Sequence, residues 1–130
     1  MILALRTDSP VAQIHVLSAS GELQSQFSWQ ADRQLARDLL AKINEQLTKN
    51  NLDFKDVSGV IVFAGPGSFT GLRIGITVAN TIAYGNTVPI VAPSGDNWLK
   101  QGIKELLAGK NNKIALPQYG ADAHITLPKK

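Results

Sequence analysis

Short apolar runs broken by turn residues open the chain. Residues 2–7 predict a buried strand, and residues 11–18 (Val-Ala-Gln-Ile-His-Val-Leu-Ser) predict a second. Ser20-Gly21 marks the turn into a third strand at about 22–29, giving an antiparallel meander. Asp32 then opens a helix over 31–49, in which Leu35, Leu39, Leu40, Ile43 and Leu47 recur at three-to-four spacing on one face. Asn50 and Asn51 end it. The continuous apolar run 59–63 suits a strand buried on both sides. A glycine-rich turn at 65–67 leads into an apolar helix at 69–84, stopped by Gly85. A short strand at 87–92 and a weaker helix at 95–107 follow. This order implies an α/β fold, a mixed five-stranded sheet with helices packed on it. One domain over 1–113 is expected, followed by an extended tail over 114–130 that contains Pro117 and Pro128.

Composition narrows the chemistry. With 130 residues, 44% apolar and 18% charged, the chain reads as one ordinary globular domain. It has no cysteine, which excludes disulfides and thiolate metal sites. The opening apolar run is too short for a signal peptide, and no stretch is long enough for a membrane span, so a cytoplasmic protein without membrane contact is expected. The net charge of +3 is uneven: residues 97–130 carry six basic and two acidic side chains. Lys100, Lys104, Lys110, Lys113, Lys129 and Lys130 could meet phosphates, but no aromatics interleave with them to stack bases, and solubility is the simpler role.

The informative stretch is 63–75, Phe-Ala-Gly-Pro-Gly-Ser-Phe-Thr-Gly-Leu-Arg-Ile-Gly. Gly65, Gly67 and Ser68 lie between a strand and a helix N-terminus, where unpaired amides attract anions. Ser68 and Thr70 are both candidate N-caps. A phosphate loop needs Lys-Ser/Thr after its last glycine, and here Leu72-Arg73 follows Gly71. The glycine spacing also misses the dinucleotide fingerprint by one residue. A small nucleotide-binding enzyme using the turn 65–71 is therefore the alternative reading.

Along the helix that follows, Gly71, Gly75, Ala79 and Ala83 form a stripe of small side chains, while Leu72, Ile74, Ile76, Val78, Ile82 and Tyr84 fill the other faces. A helix apolar nearly all round is buried nearly all round. Either a partner helix packs closely on the stripe, or the stripe packs on the chain's own sheet or its 31–49 helix. Arg73 reaches an interface edge or nearby carbonyls.

The run Gly65-Pro-Gly-Ser-Phe-Thr-Gly-Leu-Arg-Ile-Gly75 resembles the signature of the TsaB (YeaZ-type) family, and Met1–Leu5 and 32–48 are similar to its first strand and first helix. The resemblance implies a ribonuclease H-like half-domain of the actin-like ATPase superfamily. It also implies a non-catalytic role in forming N6-threonylcarbamoyladenosine at position 37 of tRNAs. By that resemblance the chain docks through helices 31–49 and 69–84 onto a catalytic TsaD-like subunit, supports assembly with a TsaE-like ATPase, and meets tRNA indirectly. It would form a homodimer through the same helices when alone. Leu35, Leu39, Gly71, Leu72, Arg73, Gly75, Ala79 and Ala83 are the implied interface residues. Longer members carry a second half-domain. Members often read Ile-Asp-Thr-Ser where this chain has Leu5-Arg6-Thr7-Asp8, and Arg6 argues against ATP hydrolysis. Ala92–Trp98 also departs from the family's serine–leucine pattern.

No catalytic constellation assembles, and no cofactor or metal is expected. His15 and His124 lack ligand spacing to other groups. Asp8 and Asp96 follow predicted strands, where active-site acids of such sheets sit, yet both also suit turns. Trp29 and Trp98 read as packing anchors.

Overall fold

The structure, a computed structural model, describes residues 1–118. Strands β1 (Ile2–Arg6), β2 (Val11–Leu17) and β3 (Leu23–Gln30) form the expected antiparallel meander. A 3-10 turn at Asp32–Gln34 leads into helix α1 (Leu35–Lys49). Strand β4 (Gly59–Val62), helix α2 (Phe69–Asn86), strand β5 (Ile90–Val91) and helix α3 (Trp98–Leu107) follow. The sheet order is β3-β2-β1-β4-β5, with β4 parallel to both β1 and β5, so the five-stranded mixed sheet is as the pattern implied.

Strand alternation assigns the helices to faces. Ala4 lies opposite Ile61, and Ile61 touches the backbone of α3 at Gly102. Thr7, three residues on and therefore on the other face, meets α2 at Gly71 and Gly75. Helix α1 packs beside α2 on that second face. The main core lies there, where Leu3, Leu5, Ile14 and Val16 of the sheet are sealed under Leu39, Ile43, Leu47 and Leu72. Each such side chain contributes about 1.5–3 kcal/mol by leaving water. Helix α3 packs mainly on β4 and β5, and its Trp98 reaches over to His15 of β2, so the polar side chains left exposed on that face are those of β3.

Several boundaries move. Helix α2 runs through Gly85 to Asn86, because its cap is Thr87 in the left-handed region, whose N–H bonds back to the carbonyls of Ala83 and Tyr84. Strand β5 is only two residues long, and α3 begins at Trp98 after a loop turned by Gly95 at φ +84°. Leu40 was grouped with the core face of α1, but it is 54% exposed; the inward stripe is Leu35, Leu39, Ile43, Gln46 and Leu47.

Residues 114–118, beyond the boundary expected at 113, are held against the domain. The Asn80 side chain accepts from Ala115 N–H at 2.8 Å and donates to its carbonyl at 3.1 Å. Gln118 N–H donates to Ala64 O at 2.6 Å. The rest of the expected tail, with His124, Lys129 and Lys130, lies outside the described residues.

Candidate docking face on the paired helices

Helix α2 is two-sided, and its inner side explains the glycines. The Thr7 hydroxyl donates to Gly71 O at 2.7 Å, and a side chain at Gly71 would strike the Thr7 carbonyl oxygen. A side chain at Gly75 would strike the Thr7 hydroxyl. Ala79 and Ala83 continue the same buried line. The glycine half of the stripe is thus closed off by Thr7, at the end of the chain's own first strand. This corrects the expected interface: Leu35, Leu39, Leu72, Gly75, Ala79 and Ala83 are buried inside the domain and Gly71 is half-buried, so they are not surface for a partner. Of the eight, Arg73 alone is exposed, with its guanidinium 5.3 Å from the centre of the Phe69 ring.

The outer side of α2 is the exposed one. Thr70, Arg73, Thr77, Thr81 and Tyr84 recur at three-to-four spacing and are exposed, with Tyr84 at 89% and Phe69 at 53%. Ile74 and Val78 lie half-buried between them. With Ala36 of α1 they line a shallow groove of about 370 Å³, apolar apart from Thr70, Thr77 and Arg73. Leu40 stands exposed on α1. In the sequence this face mixes Thr70, Arg73, Thr77 and Thr81 with Ile74, Val78 and Tyr84, so no apolar period marks it. Which of the two stripes faces the sheet depends on Thr7, sixty-four residues away from Gly71 along the chain.

In the glycine turn Gly65 is buried, while Pro66, Gly67 and Ser68 are exposed. Gly65, at φ +118°, lies against the backbone of Gln118, and Gly67 lies against Asp8. The Ser68 N–H donates to the Asp8 carbonyl at 3.1 Å. Ser68 holds the N-cap position without a side-chain capping bond, and Thr70 lies within the helix. An incoming anion would meet an amide already bonded and a carboxylate beside it.

Asp8 and Arg6 form a two-pronged ion pair of 2.8 and 3.2 Å, and the Arg6 guanidinium stacks 3.9 Å from the centre of the Phe63 ring. Asp96 is exposed in the loop before α3. His15 is buried, with Nε2 3.2 Å from Gln13 Oε1 and its ring edge-on to Trp98 at 5.5 Å. Burial lowers its pKa from 6.5. Trp98 also packs on Phe63, anchoring α3, and Trp29 stacks on Phe27 at 5.7 Å.

A wider cleft of about 900 Å³ lies between the β1–β2 turn, the start of α1 and the start of α2. Ser9, Gln30, Asp32, Arg33, Arg37 and Thr70 are among its walls. Arg37 and Asp38 are hydrogen-bonded there at 2.8 Å, which holds the Asp38 carboxyl below and the Arg37 guanidinium above their ordinary values. Among the described residues, no group of three or more His, Cys, Asp or Glu could hold a metal, and no helix is long and apolar enough to cross a membrane.

Residues 29–94, half of the chain, match the family model described as TsaD: tRNA N6-adenosine threonylcarbamoyltransferase. The Haemophilus influenzae protein named tRNA threonylcarbamoyladenosine biosynthesis protein TsaB is 30% identical over 115 residues, which are 88% of this chain and 48% of that protein. The chain spans about half the length of the curated relatives it matches. Among solved structures, YeaZ from Pseudomonas aeruginosa is similar with a TM-score of 0.65 and 28% identity, over 72% of this chain and 43% of its own. RuvC of T. thermophilus, solved with a Holliday junction substrate, gives a TM-score of 0.51 at 12% identity, over 94% of this chain and 86% of its own. That likeness is one of fold alone, and it supports a ribonuclease H-like sheet.

Proposed function

From the premise that this chain belongs to the TsaB (YeaZ-type) family, we propose that it is a cytoplasmic, non-catalytic subunit of the machinery forming N6-threonylcarbamoyladenosine in tRNA. It docks onto a TsaD-like catalytic subunit through the outward faces of α1 and α2. The observation that carries this reading is the exposed line Phe69, Arg73, Thr77, Tyr84 beside Leu40, on two helices that already pack side by side. Phe69, Tyr84 and Leu40 stand around an apolar groove over Ile74 and Val78, with Arg73 and threonines at its rim, a mixture that suits helix docking. A partner presenting its own helix pair would bury them. In the assembled complex a TsaE-like ATPase joins, tRNA is met through the catalytic subunit, and the same face supports a homodimer when the partner is absent.

Co-purification with the TsaD-like subunit of the same organism tests this. Wild type should bind, while Thr77→Lys and Tyr84→Asp, both on exposed positions, should lose the partner and keep the fold. Equal binding by all three chains would remove the face from the mechanism. Absence of binding by wild type would remove the role.

A further inference from the structure

The two edges of the sheet are treated differently. At the β5 edge the chain covers its own backbone: Ile90 N–H donates to Asn111 Oδ1 at 3.2 Å, and Asn112 N–H donates to Ile90 O at 2.8 Å. The β3 edge has nothing comparable. Its eight residues bond to β2 on one side, and among the described residues no backbone or side-chain group bonds to their main chain on the other. Every second N–H and C=O of Leu23–Gln30 therefore faces outward unpaired.

Open edges are normally shielded by lysine, proline, a bulge or shortness, because they template pairing with another strand. Leu-Gln-Ser-Gln-Phe-Ser-Trp-Gln has no charged residue and no proline, in a chain with 13 basic residues elsewhere, and it is the longest strand of the sheet. The one register irregularity sits at its beginning, against Val16/Leu17. Beyond that irregularity, Gln26, Ser28 and Gln30 are exposed on one side; on the other, Phe27 and Trp29 are half-buried and stacked, beside Ser25, whose hydroxyl accepts from Asn50, and with the Lys42 ammonium 5.7 Å from the centre of the Phe27 ring.

We infer that β3 is a pairing edge for β3 of a second copy of this chain, antiparallel about a two-fold axis normal to the sheet. In that arrangement Gln and Ser side chains meet Gln and Ser, and Phe27 and Trp29 of the two copies come together on the α1 side, each Phe27 under a Lys42 that is itself 3.9 Å from the Glu45 carboxylate. No charge opposes a like charge along the strand, and none selects a differently charged strand. The covered β5 edge ends the assembly at two copies, a closed dimer with one continuous sheet. This surface is separate from the α1–α2 face and stands or falls without it.

Sedimentation equilibrium of the whole chain carrying Thr77→Lys, which blocks the helix face, tests the edge. This chain should be dimeric at concentrations on the order of 100 µM, and adding Gln26→Lys and Ser28→Lys should weaken the dimer about tenfold or more, since every centring of the strand pair sets lysine against lysine or beside it. A Thr77→Lys chain that is monomeric, or a dimer indifferent to the lysines, overturns the inference. If the lysine variant fails to fold, Gln26→Cys with Ser28→Cys replaces it. In a chain that has no other cysteine, mild oxidation must then yield a disulfide-linked dimer, and its absence overturns the inference equally.

Discussion

The Thr7 hydroxyl donates to the Gly71 carbonyl at 2.7 Å, and the same side chain lies where a side chain on Gly75 would begin. One residue at the end of β1 thus fixes the first two turns of α2. Gly75→Ala should destabilise the domain by about 1–3 kcal/mol despite alanine's better helix propensity, because overpacking outweighs the ~1 kcal/mol propensity gain. Thr7→Ala should recover part of that loss. It should recover none of the loss from Gly71→Ala, where the obstacle is the main-chain oxygen of Thr7. Urea melts of the three single and two double variants give both couplings directly.

Asn80 holds residues 114–118, a strap across the domain, in place. Removing its amide leaves both the N–H and C=O of the buried Ala115 unpaired. Asn80→Ala should cost about 1–3 kcal/mol and speed tryptic cleavage after Lys110 and Lys113, which are exposed. Unchanged cleavage would mean that the Gln118–Ala64 bond alone suffices to hold the segment.

His15 makes stability depend on pH. Burial lowers its folded-state pKa below 6.5, so the unfolded chain binds the proton more readily than the folded one. Its contribution is complete above about pH 6.5, declines as pH falls below that, and levels off below the folded-state value. His15→Gln should remove this component of the slope, read from urea midpoints between about pH 7 and pH 5.

The lack of a phosphate-loop Lys-Ser/Thr after Gly71, with the Ser68 N–H already bonded to the Asp8 carbonyl, predicts no nucleotide binding at the 65–71 turn. Calorimetric titration with ATP and magnesium to about 1 mM should give no binding heat. Saturable heat in that range would revive the reading of the turn as an anion cradle, and would require Gln118 and Asp8 to move away from Gly65 and Gly67.

Much of the fold was legible because its signals are local. Alternation in 11–18, the three-to-four spacing from Leu35 to Leu47 and the continuous run 59–63 each specify an element without reference to the rest of the chain. The docking face was not legible. The stripe Gly71–Gly75–Ala79–Ala83 is as well suited to a strand end as to a foreign helix, and only the position of Thr7 decides between them. Leu40 was misplaced for a related reason: it neighbours Leu39 in sequence, but it lies about 100° further round the helix. The strap was hidden because Asn80, Asn111 and Asn112 form hydrogen bonds across the fold that no periodicity announces.

The contact between α2 and β1 has a consequence for recognition. Where Gly71 and Gly75 meet the strand end, no flexible side chain intervenes, so at these two positions the helix rests directly on Thr7. Its tilt and height are set like those of a beam on a bearing, and the residues on its far side inherit that setting. A change at Thr7, which touches no exposed side chain of the docking face, should therefore alter the affinity of that face by shifting its whole line of side chains at once.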